Sequence, residues 1–283
     1  MTRGAGPGDR ALVLGGGGLA GIAWHTGMVA AFTGAGFDAS TADLVLGTSA
    51  GATVAAQVAS AVPVDHWYQR QVDPSRQGHE LEPPGLSIEE LFEVMVRVAE
   101  EVSDPAERRR RIGAVALAAD TVAEPVRRAV VAGRLPAGGW PTRPMSVVAV
   151  DAHSGERRAF DAASGVDLVD AVAASSAVPG VWPPVTIGST RYVDGGIYSS
   201  CNADLSVGFG RVLILAPMPD PALEDEVVAI EGTGRALVVT PDKDSLAAFG
   251  VAPLDPAVRA PAALAGFAQG SRSAGDVLEF WNS

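Results

Sequence analysis

Apolar positions in this chain gather into short unbroken runs. Ala11-Leu12-Val13-Leu14, Leu44-Val45-Leu46, Met145 to Val150, Val212 to Ala216 and Ala236 to Val239 are such runs, and each ends near glycine, proline or aspartate. Short continuous runs rich in β-branched residues read as strands buried on both faces. Between the first two lies Gly15 to Gly21, then a helical stretch from Ile22 to Thr33 closed by Gly34 and Gly36. After the second run a small-residue helix follows from Ala52 to Ala61. Strand, glycine loop, helix, strand, helix is a βαβα order, which predicts a parallel sheet flanked by helices.

Residues 63–143 carry a different pattern, with three helices and little strand signal. Ser87-Ile88-Glu89-Glu90 has the form of a capping box. Ile88, Leu91, Phe92, Met95, Val98 and Ala99 then recur at helical spacing on one face. Further helices are expected over Pro105–Ala119 and over Val122–Ala132, the latter stopped by Gly133. The block reads as a helical layer or lid over the sheet. Its Arg108 to Arg111 run is either a solvated helix face or a contact for anionic phospholipid headgroups.

Sheet pattern resumes at Met145. A turn at Ser154-Gly155 and a segment ending in Phe160 read as a hairpin-like addition, and Asp167 to Ala174 as a short helix. A proline-broken loop spans Ala174 to Pro184, Arg191-Tyr192-Val193 leads into Asp194-Gly195-Gly196, and residues 255–280 read as helix. No repeat or linker interrupts the pattern, so one domain is expected over residues 10–283, with 1–9 as a disordered tail.

Composition narrows the function classes. The 283 residues carry 21 basic against 33 acidic side chains, a formal net charge of −12. A dedicated nucleic-acid binder carries the opposite sign. The single cysteine, Cys201, permits no internal disulfide. The N-terminus lacks the layout of a signal peptide, and the weakly polar stretch from Leu44 to Val62 contains Gly47, Thr48, Ser49, Gly51 and Thr53, which suits a buried strand and helix better than a membrane span. These features lead to an expectation of a cytoplasmic protein with at most transient, peripheral membrane contact. They leave the oligomeric state open.

Three stretches carry chemistry. Gly47-Thr48-Ser49-Ala50-Gly51 is a Gly-x-Ser-x-Gly sequence between a strand and a helix, the context of a nucleophile elbow. A serine needs a base, because at its free pKa it is a weak nucleophile. The histidines are His25, His66, His79 and His153, and none follows the elbow late in the chain where a Ser-acid-His hydrolase places it. Asp194 in Asp194-Gly195-Gly196 is the better base, given burial that raises its pKa, although Asp-Gly is also a common turn signal. The glycine loop offers unobstructed N–H groups at a helix start, suited to an oxyanion. Gly16-x-Gly18-x-x-Gly21 with Asp38 also fits a dinucleotide fingerprint, which keeps an NAD- or FAD-binding oxidoreductase open.

Taken together, Gly16 to Gly21, Gly47 to Gly51 and Asp194 to Gly196 resemble the patatin-like phospholipase family, and Ala174-Ser175-Ser176-Ala177-Val178-Pro179 is similar to the block that precedes the family's aspartate. The resemblance runs in order over residues 11–219. It implies a three-layer α/β/α fold with a mainly parallel sheet, here with the helical insertion at 63–143. It also implies acyl-ester hydrolysis of lipids without metal or cofactor. Ser49 would be the nucleophile and Asp194 the general base. Gly16, Gly17, Gly18 and Gly21 would form the oxyanion loop, with Gly47, Gly51, Gly195 and Gly196 supporting the turns. The chain departs from the family at Ala20, where a basic residue is frequent. That departure leaves a non-catalytic lipid- or protein-binding relative as the alternative.

Overall fold

The structure is a computed structural model that describes residues 10–283. The tail expected at 1–9 lies outside the described residues. The chain runs β1 (Arg10–Leu14), α1 (Gly18–Gly34), β2 (Leu44–Thr48), α2 (Ala50–Ala59), α3 (Val64–Val72), α4 (Ile88–Glu101), α5 (Pro105–Ala118) and α6 (Glu124–Ala132). It continues through β3 (Met145–Asp151), β4 (Arg157–Phe160), α7 (Leu168–Ser175), β5 (Val185–Ile187) and β6 (Thr190–Asp194). It closes with β7 (Arg211–Leu215), α8 (Ala222–Glu231), β8 (Arg235–Val239), α9 (Lys243–Phe249) and α10 (Arg259–Asn282).

One mixed sheet has the order β5-β6-β3-β2-β1-β7-β8, with β4 paired to β3 off this path. Strands β3, β2, β1, β7 and β8 are parallel neighbours, while β4 and β6 join β3 antiparallel and β5 joins β6 antiparallel. The central strands alternate between two cores, as a period of two requires. Leu12, Leu14, Val45, Val147, Leu213 and Leu215 face one side, where Trp24, Phe32, Val54, Val172 and Trp281 from α1, α2, α7 and α10 cover them. Ala11, Val13, Leu46, Val148, Val212 and Ile214 face the other, against Ala203 and Ile230. This is the α/β fold with a mostly parallel sheet that the strand pattern predicts.

Helix α1 is apolar nearly all round, and residues from Leu19 to Val29 are all buried. Such a helix needs cover on every side. Helix α10 supplies one flank, where Trp24 Nε1 donates to Gln269 Oε1 at 3.0 Å.

Three expectations need correction. The 63–143 block holds four α-helices, because α3 precedes the three read from the pattern. Helix α1 begins at Gly18 rather than Ile22, since the glycine loop turns directly into its first turn. On α4 the capping box at Ser87 and Glu90 forms, but only Leu91 and Val98 of the apolar stripe are buried, and Phe92 is half exposed. The helix rests on the 178–182 loop along a strip narrower than its apolar face: Leu91 packs on Val181 and Trp182.

Candidate active site

The turn after β2 is tight for a reason visible in the backbone. Ser49 has φ 53° and ψ −114°, a left-handed φ that a non-glycine residue adopts only under strain. Its N–H donates to Ser175 Oγ at 2.8 Å, which pins the strained residue to the end of α7. Gly47 pairs with Leu14 inside the sheet. At Gly51 a Cβ would lie 1.8 Å from the Leu14 carbonyl oxygen, so only glycine lets α2 sit this close to β1. The Gly51 N–H donates to Gly15 O at 3.1 Å, tying the elbow to the glycine loop.

Asp194 ends β6. Its Oδ2 accepts from the Ser49 hydroxyl at 2.7 Å, and its Oδ1 accepts from the Gly196 N–H at 2.8 Å. Both side chains are buried. Burial raises the Asp194 carboxyl to a pKa of about 6, against the opposing pull of the Ser49 and Gly196 hydrogen bonds. Gly195 follows in a 3-10 turn over residues 195–197.

The glycine loop wraps the same point. The Gly16 N–H donates to Ser200 O at 2.8 Å and the Gly21 N–H to Gly17 O at 2.8 Å, so both of those amides are occupied. Ala20 is fully buried and its N–H donates to Pro253 O at 3.0 Å. The N–H groups of Gly17, Gly18, Leu19 and Ala50 have no acceptor among the described residues. They are the orphan donors at the starts of α1 and α2. Gly18 has φ +64°, and a Cβ there would meet Pro253 O at 2.8 Å. Gly18, Leu19, Ser49 and Ala50 line one small cavity of about 30 Å³, which Leu81, Arg127, Trp182 and Leu254 help to cover. Its lining includes no histidine.

His25 lies behind the loop. Burial lowers its pKa to about 4, so the ring is neutral and its Nε2–H donates to Gly15 O at 2.9 Å. Asp38 caps the short 3-10 turn at residues 39–41 by accepting from the Ser40 N–H. The loop side that a pyrophosphate would approach is thus crowded at Gly18 by Pro253 and Leu254, and Asp38 is engaged locally. Among the described residues no group of three His, Cys, Asp or Glu side chains could hold a metal ion, and no helix is long and apolar enough to cross a membrane.

The patatin-like phospholipase family model matches residues 12–206, which spans the elbow, the glycine loop and Asp194. The chain belongs to the patatin-like phospholipase family. VipD from Legionella pneumophila is a similar solved structure, at 14% identity and a TM-score of 0.47, over 96% of this chain and 68% of VipD. The type III effector protein ExoU is another, at 20% identity and a TM-score of 0.41, over 95% of this chain. The chain spans only 54% of ExoU. No curated protein matches the chain.

This patatin-like site contains residues that sequence patterns did not reveal. Asn202 is buried with a left-handed φ of 51°. Its Nδ2 lies 3.1 Å from Thr48 Oγ1, 3.3 Å from Gly195 O and 2.6 Å from Ser199 O. It therefore joins the residue before Ser49 to the residue after Asp194. Ser175 lay within the recognised 174–179 block but carried no signal for its bond to the elbow. The Arg108 to Arg111 run points elsewhere: Arg108 and Arg109 donate to backbone carbonyls, and Arg110 and Arg111 pair with Glu107 and Glu101.

Proposed function

We propose that this protein is a serine acyl-ester hydrolase of lipids, working through a Ser49–Asp194 dyad. The observation that carries the reading is the 2.7 Å hydrogen bond from a strained, buried serine hydroxyl to a buried carboxylate with a raised pKa. Ser49 Oγ attacks the ester carbonyl while its proton passes to Asp194 Oδ2. The oxyanion is met by free amides from Gly17, Gly18, Leu19 and Ala50. Donors of that kind are worth roughly 3–4 kcal/mol each. Gly16 serves by its closeness to Ser49 rather than as a donor, because its N–H is spent on Ser200. Asp194 returns the proton to the leaving alkoxide, leaving an acyl-enzyme. Water, deprotonated by Asp194, then attacks the acyl carbonyl, and Asp194 returns that proton to Ser49 Oγ as the carboxylic acid leaves. Residues 10–283 act as one domain, no cofactor takes part, and membrane contact is peripheral. A cavity of about 30 Å³ has room for about two waters, so Leu81, Trp182 or Leu254 must move before an acyl chain enters.

The test is labelling with a fluorophosphonate probe, followed by a panel of lipid esters. Wild-type protein should label and release fatty acid, Ser49→Ala should do neither, and Asp194→Asn should label far more slowly. Hydrolysis retained by folded Ser49→Ala would overturn the assignment. A second reading, a non-hydrolysing lipid- or protein-binding relative, rests on the buried Ala20 in place of a basic residue. It predicts no labelling of well-folded wild-type protein.

A further inference from the structure

The cavity over Ser49 holds a cation that the dyad does not use. Arg127, on α6 of the inserted helical block, lines it together with Ser49, Ala50 and Ser176. The side chain is only 5% exposed. Its Nε and Nη1 are buried without a hydrogen-bond partner among the described residues. Trp182 stacks on it, with the ring centroid 3.9 Å from the guanidinium carbon. A cation–π contact holds the plane of the group but satisfies none of its N–H donors.

The surrounding charges offset it only in part: Glu80 attracts it, but no hydrogen bond or ion pair closes between them. Glu80 is the buried carboxylate of this region, and it is already committed: Arg134 takes it from two sides, and Arg259 Nη1 stands 3.7 Å from its Oε1. Arg259 is further satisfied by Gln71 Oε1 and by the carbonyls of Gly78 and Arg70. Three guanidinium groups thus share one carboxylate, and Arg127 is the one with no hydrogen bond or ion pair to it. Burial and the nearby Arg134 lower its pKa to about 9 against the opposing pull of Glu80, so it remains charged at neutral pH. A buried, unpaired cation with open donors is costly unless something anionic meets it.

The size of the site narrows what that anion is. Arg127 and Ser49 border the same small cavity. An anion paired with Arg127 therefore lies close to an ester carbonyl held over Ser49. A glycerophospholipid has that layout, with phosphate and acyl ester on adjacent glycerol carbons. A carboxylate at the far end of an acyl chain does not. The planar two-pronged donor set of arginine also matches phosphate oxygens. Beyond this cavity a larger one of about 320 Å³ shares Leu19, Ile22, Glu80 and Arg134 with it, leaving room for a headgroup or second chain. We propose that Arg127 is the specificity-determining residue of the Ser49 site, receiving the phosphate of a glycerophospholipid whose neighbouring acyl ester lies over Ser49. The assignment of that ester rests on the hydrolase reading above. The positive charge that Ala20 lacks is thereby supplied from α6.

The experiment measures binding in a Ser49→Ala background, where no turnover intrudes. Calorimetric titrations compare dihexanoylphosphatidylglycerol, dihexanoylglycerol and inorganic phosphate. The phospholipid should bind at least about tenfold more tightly than the neutral glyceride, the effect of one charge-assisted hydrogen bond. Arg127→Met should erase that preference, and Arg127→Lys should restore part of it. Equal affinity for the two lipids, or a preference that survives Arg127→Met, would overturn the proposal. Inorganic phosphate binding as tightly as the phospholipid through Arg127 would overturn its lipid part. If Arg127→Met does not fold, Arg127→Lys alone decides, since loss of the planar fork must lower the preference if phosphate is held there. With Ser49 intact, the ratio of kcat/KM for phospholipid over glyceride should fall in the same variants, whereas an equal loss on both would mark Arg127 as merely structural. Failure of the wild-type protein to hydrolyse any ester would sink the hydrolase reading, while the titrations still report on Arg127.

Discussion

Ser49 and Asp194 are 145 residues apart in the chain, yet their side chains meet at 2.7 Å. Strand β3 brings them together. Thr48, at the end of β2, pairs in parallel with Val148, and Asp194, at the end of β6, pairs antiparallel with Ala149. One residue of offset on a shared strand delivers the elbow and the carboxylate to the same edge of the sheet. Both then leave the sheet in tight turns, so the contact is set by register more than by loop conformation.

The first prediction concerns the acid limb of activity. Burial raises Asp194 to about 6, and only its ionised form can accept the Ser49 proton. Activity should therefore fall as pH drops through about 6, with one proton per site. The measurement is kcat/KM against pH for a soluble short-chain ester. A limb centred near 4, the ordinary carboxylate range, would show that burial does not raise the Asp194 carboxyl, and a limb that stays in Asp194→Asn would remove it from the role of base.

The same shift makes a stability prediction of defined sign. Asp194 has a higher pKa in the folded protein than in the unfolded chain, so the fold favours its protonated form. Its contribution is most favourable below about pH 4 and is lost as pH rises through about 6. Above that window the buried charge costs the fold on the order of 1–3 kcal/mol, the free-energy equivalent of a shift of this size. Asp194→Asn should raise Tm at pH 8 and change it little at pH 4. The check is a pair of thermal melts at each pH, and a lower Tm for the variant at pH 8 would contradict the account. Greater stability together with lost activity would mark a site strained for function.

The sheet was legible in the sequence because its central strands are covered on both faces, and that demands unbroken apolar runs such as Val212 to Ala216. Elements that bury less left less signal. Helix α3 buries only Trp67 and Gln71, and β5 is a three-residue edge strand. Ser49, Asp194 and the glycines could be found because their backbone turns restrict residue type locally. Asn202 and Arg127 could not. Each acts through partners distant in sequence, Thr48 for one and the Ser49 cavity for the other. An arginine on an amphipathic helix looks the same whether it faces water or a buried site. In the conspicuous Arg108 to Arg111 run, Arg108 and Arg109 donate to carbonyls, while Arg110 and Arg111 form ion pairs that stay half exposed on the helix surface.

Asn202 should prove a positioning residue. Its Nδ2 faces three oxygens, on Thr48, Ser199 and Gly195. Asn202→Gly keeps the left-handed backbone without strain but removes that donor. Asn202→Asp places a carboxylate against acceptors. Unsatisfied buried groups of this kind cost about 1–3 kcal/mol. Misplacing the dyad by a fraction of an ångström lowers kcat by roughly 10–100-fold. The expected pattern is a fall in kcat with KM nearly constant, and a larger loss of stability for Asp than for Gly. Wild-type kcat in a folded Asn202→Gly protein would show that the dyad holds its own geometry.

His25 provides the sharpest separation between a Ser–Asp and a Ser–His mechanism, because it is the histidine nearest the glycine loop. The ring is buried, neutral and turned toward Gly15 O, an oxygen that the Gly51 N–H also uses. It therefore supports the wall between loop and elbow and carries no proton to or from Ser49. Glutamine can present a side-chain N–H at a similar reach. His25→Gln should keep fluorophosphonate labelling within a few-fold of wild type and leave the acid limb near pH 6 unmoved. His25→Leu removes the donor, but Gly15 O retains its bond from Gly51. That variant should lose stability more than activity, by about 1 kcal/mol, the net worth of one hydrogen bond. Thermal melts and kcat/KM profiles of the two variants decide the matter. If either variant abolished labelling while staying folded, or shifted the acid limb, the proton would have to travel through the imidazole, and Asp194 would no longer suffice as the base.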